Sequence, residues 1–159
     1  MYVELFCRSN FSFLRGASDS RDYIRRALEQ GMTALGITDI NGVYGLPRAY
    51  EVIRDFAPDF KLICGAELKL QNHPSVFLLV KNRAGWGLLC RLLTVAAAGK
   101  EKGQGFLTFD ELKFLSRRFP GADGLICVLK NEANNDVARL RLVFQDRLYL
   151  SLCRYLDGL

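Results

Sequence analysis

The chain has 159 residues, half of them hydrophobic and 25% charged, with only four prolines and a net charge of +5 at pH 7 (pI near 9.1). This composition suits one globular domain with a sizeable core and excludes an intrinsically disordered chain. No apolar run approaches the ~20 residues that a membrane-spanning helix needs, and the basic charges are scattered. The densest groups, Arg25-Arg26 and Arg117-Arg118, are pairs, which reads as a solvated basic surface before a phosphate-tracking patch.

Residues 2–7 read as a short strand. Ser18 or Asp19 can cap a helix through about Gln30, with Tyr23, Ile24, Ala27 and Leu28 on one face and Gly31 as its stop. Residues 33–38 form a buried strand, followed by a helix over about 46–57 that tolerates Pro47 in its first turn. Residues 61–70 and 75–81 are two apolar strands joined by the turn-rich Gln71-Asn72-His73-Pro74, which predicts a hairpin.

A strongly apolar helix spans 83–98; its Trp86, Leu88, Leu89, Leu92 and Leu93 read as core. A shorter helix over 109–119 is opened by Thr108 or Asp110. Residues 124–129 are a buried strand, Asn135 or Asp136 opens a helix to about Phe144, and 147–153 form a closing strand. The repeated strand–helix–strand order predicts a single α/β domain over 1–159 with a mostly parallel sheet, open or curled into a barrel.

Five cysteines lie far apart with no Cys-x-x-Cys pair, so none suggests a zinc site. Four sit in apolar runs and read as small buried hydrophobes. Their odd number, with no signal peptide, predicts a reducing, cytoplasmic setting. The lone His73, in the hairpin turn, reads as a solvated polar residue.

In such folds chemistry collects at the carboxyl ends of strands. Those ends carry Arg8 and the turn Leu14-Arg15-Gly16, then Asp39, then Glu67. If the ends converge, Arg8, Arg15, Asp39 and Glu67 share one pocket mouth, as a site or as an ion-pair network.

The segment from Leu5 to Gly16 resembles the opening motif of the polymerase and histidinol phosphatase (PHP) domain. Gly36-Ile37-Thr38-Asp39-Ile40 with Gly45 resembles its second motif, and Gly65-Ala66-Glu67 its third. Phe77 to Asn82, Gly85, Leu89 to Leu93 and Leu107-Thr108 look like the PHP domain of C-family bacterial DNA polymerases (DNA polymerase III alpha subunit-like). The stretch 97–112 is most similar to their error-prone branch, and Asp146 to Leu150 fits a later strand. The resemblance implies a distorted TIM-like (β/α) barrel, here incomplete at its C-terminal end.

In the active family, His and carboxylate ligands hold metals that activate water and neutralise a phosphoester. Carried onto this chain, those positions fall on Phe6 and Arg8, on Arg15, on Ile40, near Ser75 and near Tyr155. Glu67 alone matches a ligand, and Asp39 matches a motif residue not assigned to metal. The resemblance therefore implies a degenerate site without metal or catalytic residues. A buried Glu67 stripped of cations needs another partner. Arginine can supply it, so Arg8 or Arg15 is expected to pair with Glu67 or Asp39.

The implied function is a structural or accessory-protein-docking domain of a DNA polymerase in replication or repair synthesis. The parent would use magnesium, further along its chain. Its partners would be the rest of the polymerase chain, an accessory or proofreading subunit, and DNA through the parent. A phosphoesterase or proofreading exonuclease with rearranged ligands and a free-standing binding module are the alternatives. A truncated barrel would expose a strand edge and favour self-association.

Overall fold

A computed structural model describes residues 2–130 and 136–152 and shows a five-stranded mixed sheet with its helices packed on one face. The elements are α1 (Ser20–Glu29), β1 (Ala34–Ile40), α2 (Gly45–Phe56), β2 (Lys61–Leu70), β3 (His73–Val80), α3 (Arg83–Ala97), α4 (Phe109–Arg118), β4 (Leu125–Lys130), α5 (Asp136–Phe144) and β5 (Leu148–Ser151).

Local chemistry accounts for the helix boundaries. Asp19 caps α1 by accepting from the Arg21 amide at 2.9 Å, and Asn82 caps α3 by accepting from the Gly85 amide at 2.9 Å. Thr108 and Glu111 form a reciprocal capping box on α4. The Thr108 amide hydrogen bond holds the Glu111 carboxyl below its usual range. Buried Ile24 and Ala27 face α1 inward, with Tyr23 and Leu28 half-buried beside them.

The sheet order is β1-β2-β3-β4-β5. β1/β2 and β4/β5 are parallel, whereas β2/β3 and β3/β4 are antiparallel. The expected mostly parallel sheet is thus corrected to a mixed one. The turn at Gln71-Asn72, with Asn72 at φ +59°, reverses the chain into β3, and the long α3–α4 excursion returns antiparallel to it.

Residues 2–7 run extended beside β1. Gly36 N donates to Glu4 O (2.7 Å), Cys7 N to Gly36 O (3.2 Å) and Thr38 N to Cys7 O (2.8 Å), but the pairing reduces to one parallel bridge, Cys7 with Ile37. At the other end Arg147 lies in a 3-10 turn, and the strand expected from 147 begins at Leu148. Cys153 lies outside the described residues. Among the described residues the sheet is open, with no closed barrel.

One sheet face carries Ala66, Leu68, Val76, Leu78, Cys127 and Leu129, packed under α3, α4 and α5; Leu35 and Ile37 continue it under α1 and α2. Leu88, Leu89, Leu92 and Leu93 of α3 are buried there, and Trp86 is half-buried. The opposite face has a small cluster of Phe77, Leu79 and Val128, covered by Leu5 and Phe6. Cys127 is buried, while Cys7, Cys64 and Cys90 are half-buried.

Candidate functional site

Successive strand residues point to opposite faces, and residues paired across a sheet share a face. Asp39 is paired with Ala66, and Ile40 with Glu67; Glu67 in turn is paired with Phe77. Asp39 therefore belongs to the helix-covered face and Glu67 to the helix-free one. The expected common mouth for both carboxylates is replaced by two separate sites back to back.

On the helix-free face, two Arg8 nitrogens converge on one oxygen of Glu67, Nη2 at 2.5 Å and Nε at 2.7 Å. Ser75 Oγ donates to the other oxygen at 2.8 Å. The Arg8 guanidinium lies 5.9 Å from the Phe77 ring centroid, and Phe6 tilts against the same ring at 4.5 Å. Register places Ile40 beside Glu67. Phe6, Arg8, Ile40, Glu67 and Ser75 are thus gathered on one face, while Tyr155 lies outside the described residues.

These residues do not fit a metal cluster. Among the described residues no three His, Cys, Asp or Glu side chains converge. Both Glu67 oxygens are engaged by Arg8 and Ser75, and a guanidinium within hydrogen-bond distance would repel a cation.

On the other face Asp39 is 1% exposed and fully engaged. It accepts from Ser9 N (2.7 Å), Ser9 Oγ (2.8 Å), Ser12 Oγ (2.7 Å) and Gly45 N (3.1 Å). The last is a free amide at the start of α2, so Asp39 caps that helix from a neighbouring strand. A Cβ on Gly45 would meet Asp39 Oδ2 at 2.6 Å, and one on Gly16 would meet Ser9 O at 2.1 Å; both glycines permit this close packing.

No arginine pairs with Asp39 among the described residues; hydroxyls and amides satisfy it. Arg15 is exposed and makes no ion pair among the described residues. The reason is local: Leu14 takes φ +59°, turning the chain outward just before Arg15. Sequence reasoning misses Ser9 and Ser12 as anchors; their three-residue spacing, one turn apart after a strand, is the available signal.

Asn41 closes the end of β1 at φ +48°. Its amide donates to Glu67 O (2.7 Å), its Oδ1 accepts from Lys69 N (2.9 Å), and its Nδ2 donates to Gly105 O (2.5 Å). Beside it a cleft of about 470 Å³ is lined by Lys69, Gln71, His73, Ser75, Gln104 and Phe106. His73 opens β3 instead of lying in the turn, and is partly exposed with its Nε2 3.3 Å from Arg139 Nη1.

Residues 4–153 match the PHP domain family. An error-prone DNA polymerase of Pseudomonas syringae pv. syringae is 38% identical over 159 residues, covering 95% of this chain and 14% of the polymerase. Those of Aromatoleum aromaticum and Bdellovibrio bacteriovorus are 42% and 32% identical, covering 79% and 96% of this chain. The chain thus spans only 11% to 15% of these relatives. Among solved structures, a putative metal-dependent phosphoesterase from Bifidobacterium adolescentis aligns with TM-score 0.56 and 14% identity, covering 93% of this chain and 76% of the other. An amidohydrolase from Chromobacterium violaceum, with sulfate and no metal, aligns with TM-score 0.56 and 16% identity, covering 94% and 76%. At such identities the structural likeness shows the fold alone.

Proposed function

The chain belongs to the PHP domain family, homologous to the N-terminal region of error-prone DNA polymerases, and from that premise we propose that it is a non-catalytic PHP domain that braces such a polymerase. The observation that carries the non-catalytic reading is the Arg8–Glu67 pair, in which a fixed guanidinium engages the carboxylate matching a family ligand. Such a pair ties the extended segment 2–7 to β2 across β1 and makes the site structural.

Under this reading the open sheet is the first part of a distorted TIM-like barrel. Tyr149, Leu150 and Leu152, exposed on and beside β5, support a further neighbour there. The remainder of a polymerase chain is the expected partner, with an accessory or proofreading subunit as a second docking client. Nucleotide addition with magnesium, contact with template DNA and a cytoplasmic site of action belong to that whole polymerase.

The test is a phosphodiester hydrolysis assay with added manganese, run beside elemental analysis of the purified chain. The expected result is no turnover and no stoichiometric metal, unchanged in Glu67→Ala. Metal-dependent hydrolysis abolished by that change would establish the phosphoesterase or exonuclease alternative. Immunoblotting of the native gene product is expected to give a band several times heavier than 18.0 kDa; a band at that mass would establish a free-standing module.

A further inference from the structure

The loop over residues 9–16 is held from beneath and apolar on top. Ser9 and Ser12 are drawn inward onto Asp39, and Ser12 Oγ also accepts from Ile40 N at 3.0 Å. The residues between and after these two feet are pushed outward: Phe11 is 41% exposed, Phe13 83% and Leu14 86%. Leu14 sits in the left-handed region at φ +59°, a conformation that residues other than glycine seldom adopt without strain. The anchor is buried, but the exposed apolar groups that it holds add little to the core; this is the form of a recognition loop.

Its surroundings indicate the partner. Tyr44, 65% exposed, lies with its ring centroid 6.1 Å from that of Phe11, and the Arg48 guanidinium lies 4.9 Å from the same Phe11 ring. Of the nearby carboxylates, Asp39 is buried, Glu67 is paired with Arg8, Asp19 is shared by Arg21 and Arg48, and the exposed Glu51 adds one negative charge near Arg21. Arg15, Arg21 and Arg48 therefore outnumber Asp19 and Glu51 by one, and Arg15, with no ion pair among the described residues, carries that surplus near exposed rings. Exposed aromatic faces interleaved with arginines in net excess fit unstacked bases and their phosphates.

We propose that the tip of the 9–16 loop, with Tyr44 and Arg48, binds single-stranded nucleic acid without sequence preference. Bases stack on Phe13 and Tyr44, and Arg15 and Arg48 neutralise phosphates. This surface requires neither catalysis nor the remainder of a polymerase, so its success or failure is separable from the function proposed above.

The experiment is fluorescence anisotropy of a labelled oligothymidylate titrated with the 159-residue chain. Binding is expected to weaken about sevenfold between roughly 50 and 200 mM salt, the release of about two counterions from a single strand. Phe13→Ala and Tyr44→Ala should each weaken binding at least about fivefold. Arg15→Ala, at an exposed position with no ion pair among the described residues, should roughly halve the salt slope and serves as the second variant should an aromatic change disturb folding. No binding at low salt, equal affinity for a duplex, or affinity untouched by the aromatic changes would overturn the proposal. So would a chain that ignores the oligonucleotide but self-associates in sedimentation through the same aromatics, which would mark the tip as a protein contact.

Discussion

Arg8 and Glu67 are 59 positions apart in the chain, yet two nitrogens of one meet a single oxygen of the other at 2.5 and 2.7 Å. The contact spans β1, because Arg8 follows the segment on one side of that strand and Glu67 lies in β2 on the other. It puts a permanent cation on a carboxylate that is itself largely buried.

Removing one partner of this pair is expected to destabilise the domain more than removing both. Arg8→Met leaves a largely buried carboxylate beside Phe77 and should cost about 2 kcal/mol, below the cost of a fully buried pair because the Arg8 side chain keeps 24% of its exposure. Arg8→Met with Glu67→Leu should recover most of that loss. Urea unfolding of the single and double variants measures it; strictly additive losses would show that the two side chains are not coupled.

Asp39→Ala is expected to cost about 2 to 3 kcal/mol, since it strands the buried amides of Ser9 and Gly45 and the Ser12 hydroxyl. Hydrogen exchange should speed up at Ser9, Ile40 and Gly45 together. Ser12→Ala should affect Ile40 without Gly45, because Ser12 bridges the carboxylate to Ile40 alone.

Stability should fall in acid partly through Asp19. The Arg21 guanidinium beside it, then the Arg21 amide and Arg48, hold its carboxyl well below the usual carboxylate range. A carboxyl with a depressed folded pKa stabilises the fold fully above its unfolded value near ~4 and loses that contribution as pH falls below it. The groups are partly exposed, so the effect is at most about 1 kcal/mol. Asp19→Asn should flatten the fall of the unfolding midpoint as pH drops below about 4; an unchanged slope would remove Asp19 from the account.

Leu14→Gly is expected to stabilise the chain by about 0.5 to 1 kcal/mol, because glycine adopts φ +59° without the clash of a branched side chain and Leu14 buries little. Thermal unfolding checks this. A lower midpoint would mean that Leu14 makes a contact its exposure does not suggest.

The Cys7 thiol should resist alkylation at neutral pH. Burial, then the nearby Glu4 carboxylate, push it up to about 11, leaving almost no thiolate to react. Iodoacetamide labelling is expected to be far slower in the folded chain than in urea.

Much of this is legible in the order of residues. Thr108 and Asp19 mark helix starts, and Gln71 to Pro74 a reversal, because caps and turns depend on residues a few positions apart. The mixed sheet is harder to read, since the direction in which β4 returns after two helices leaves no mark on β4 itself.

Residue order thus settles most of the succession of elements and their capping. Packing settles that Arg8 rather than Arg15 meets Glu67, and that Asp39 lies on the opposite face among Ser9, Ser12 and Gly45. Along one strand the pleat alternates faces, but which face Glu67 shares with Arg8 depends on register across three chain segments. A one-residue slip in either pairing would exchange the faces, and register is a long-range property settled only when the whole sheet is packed.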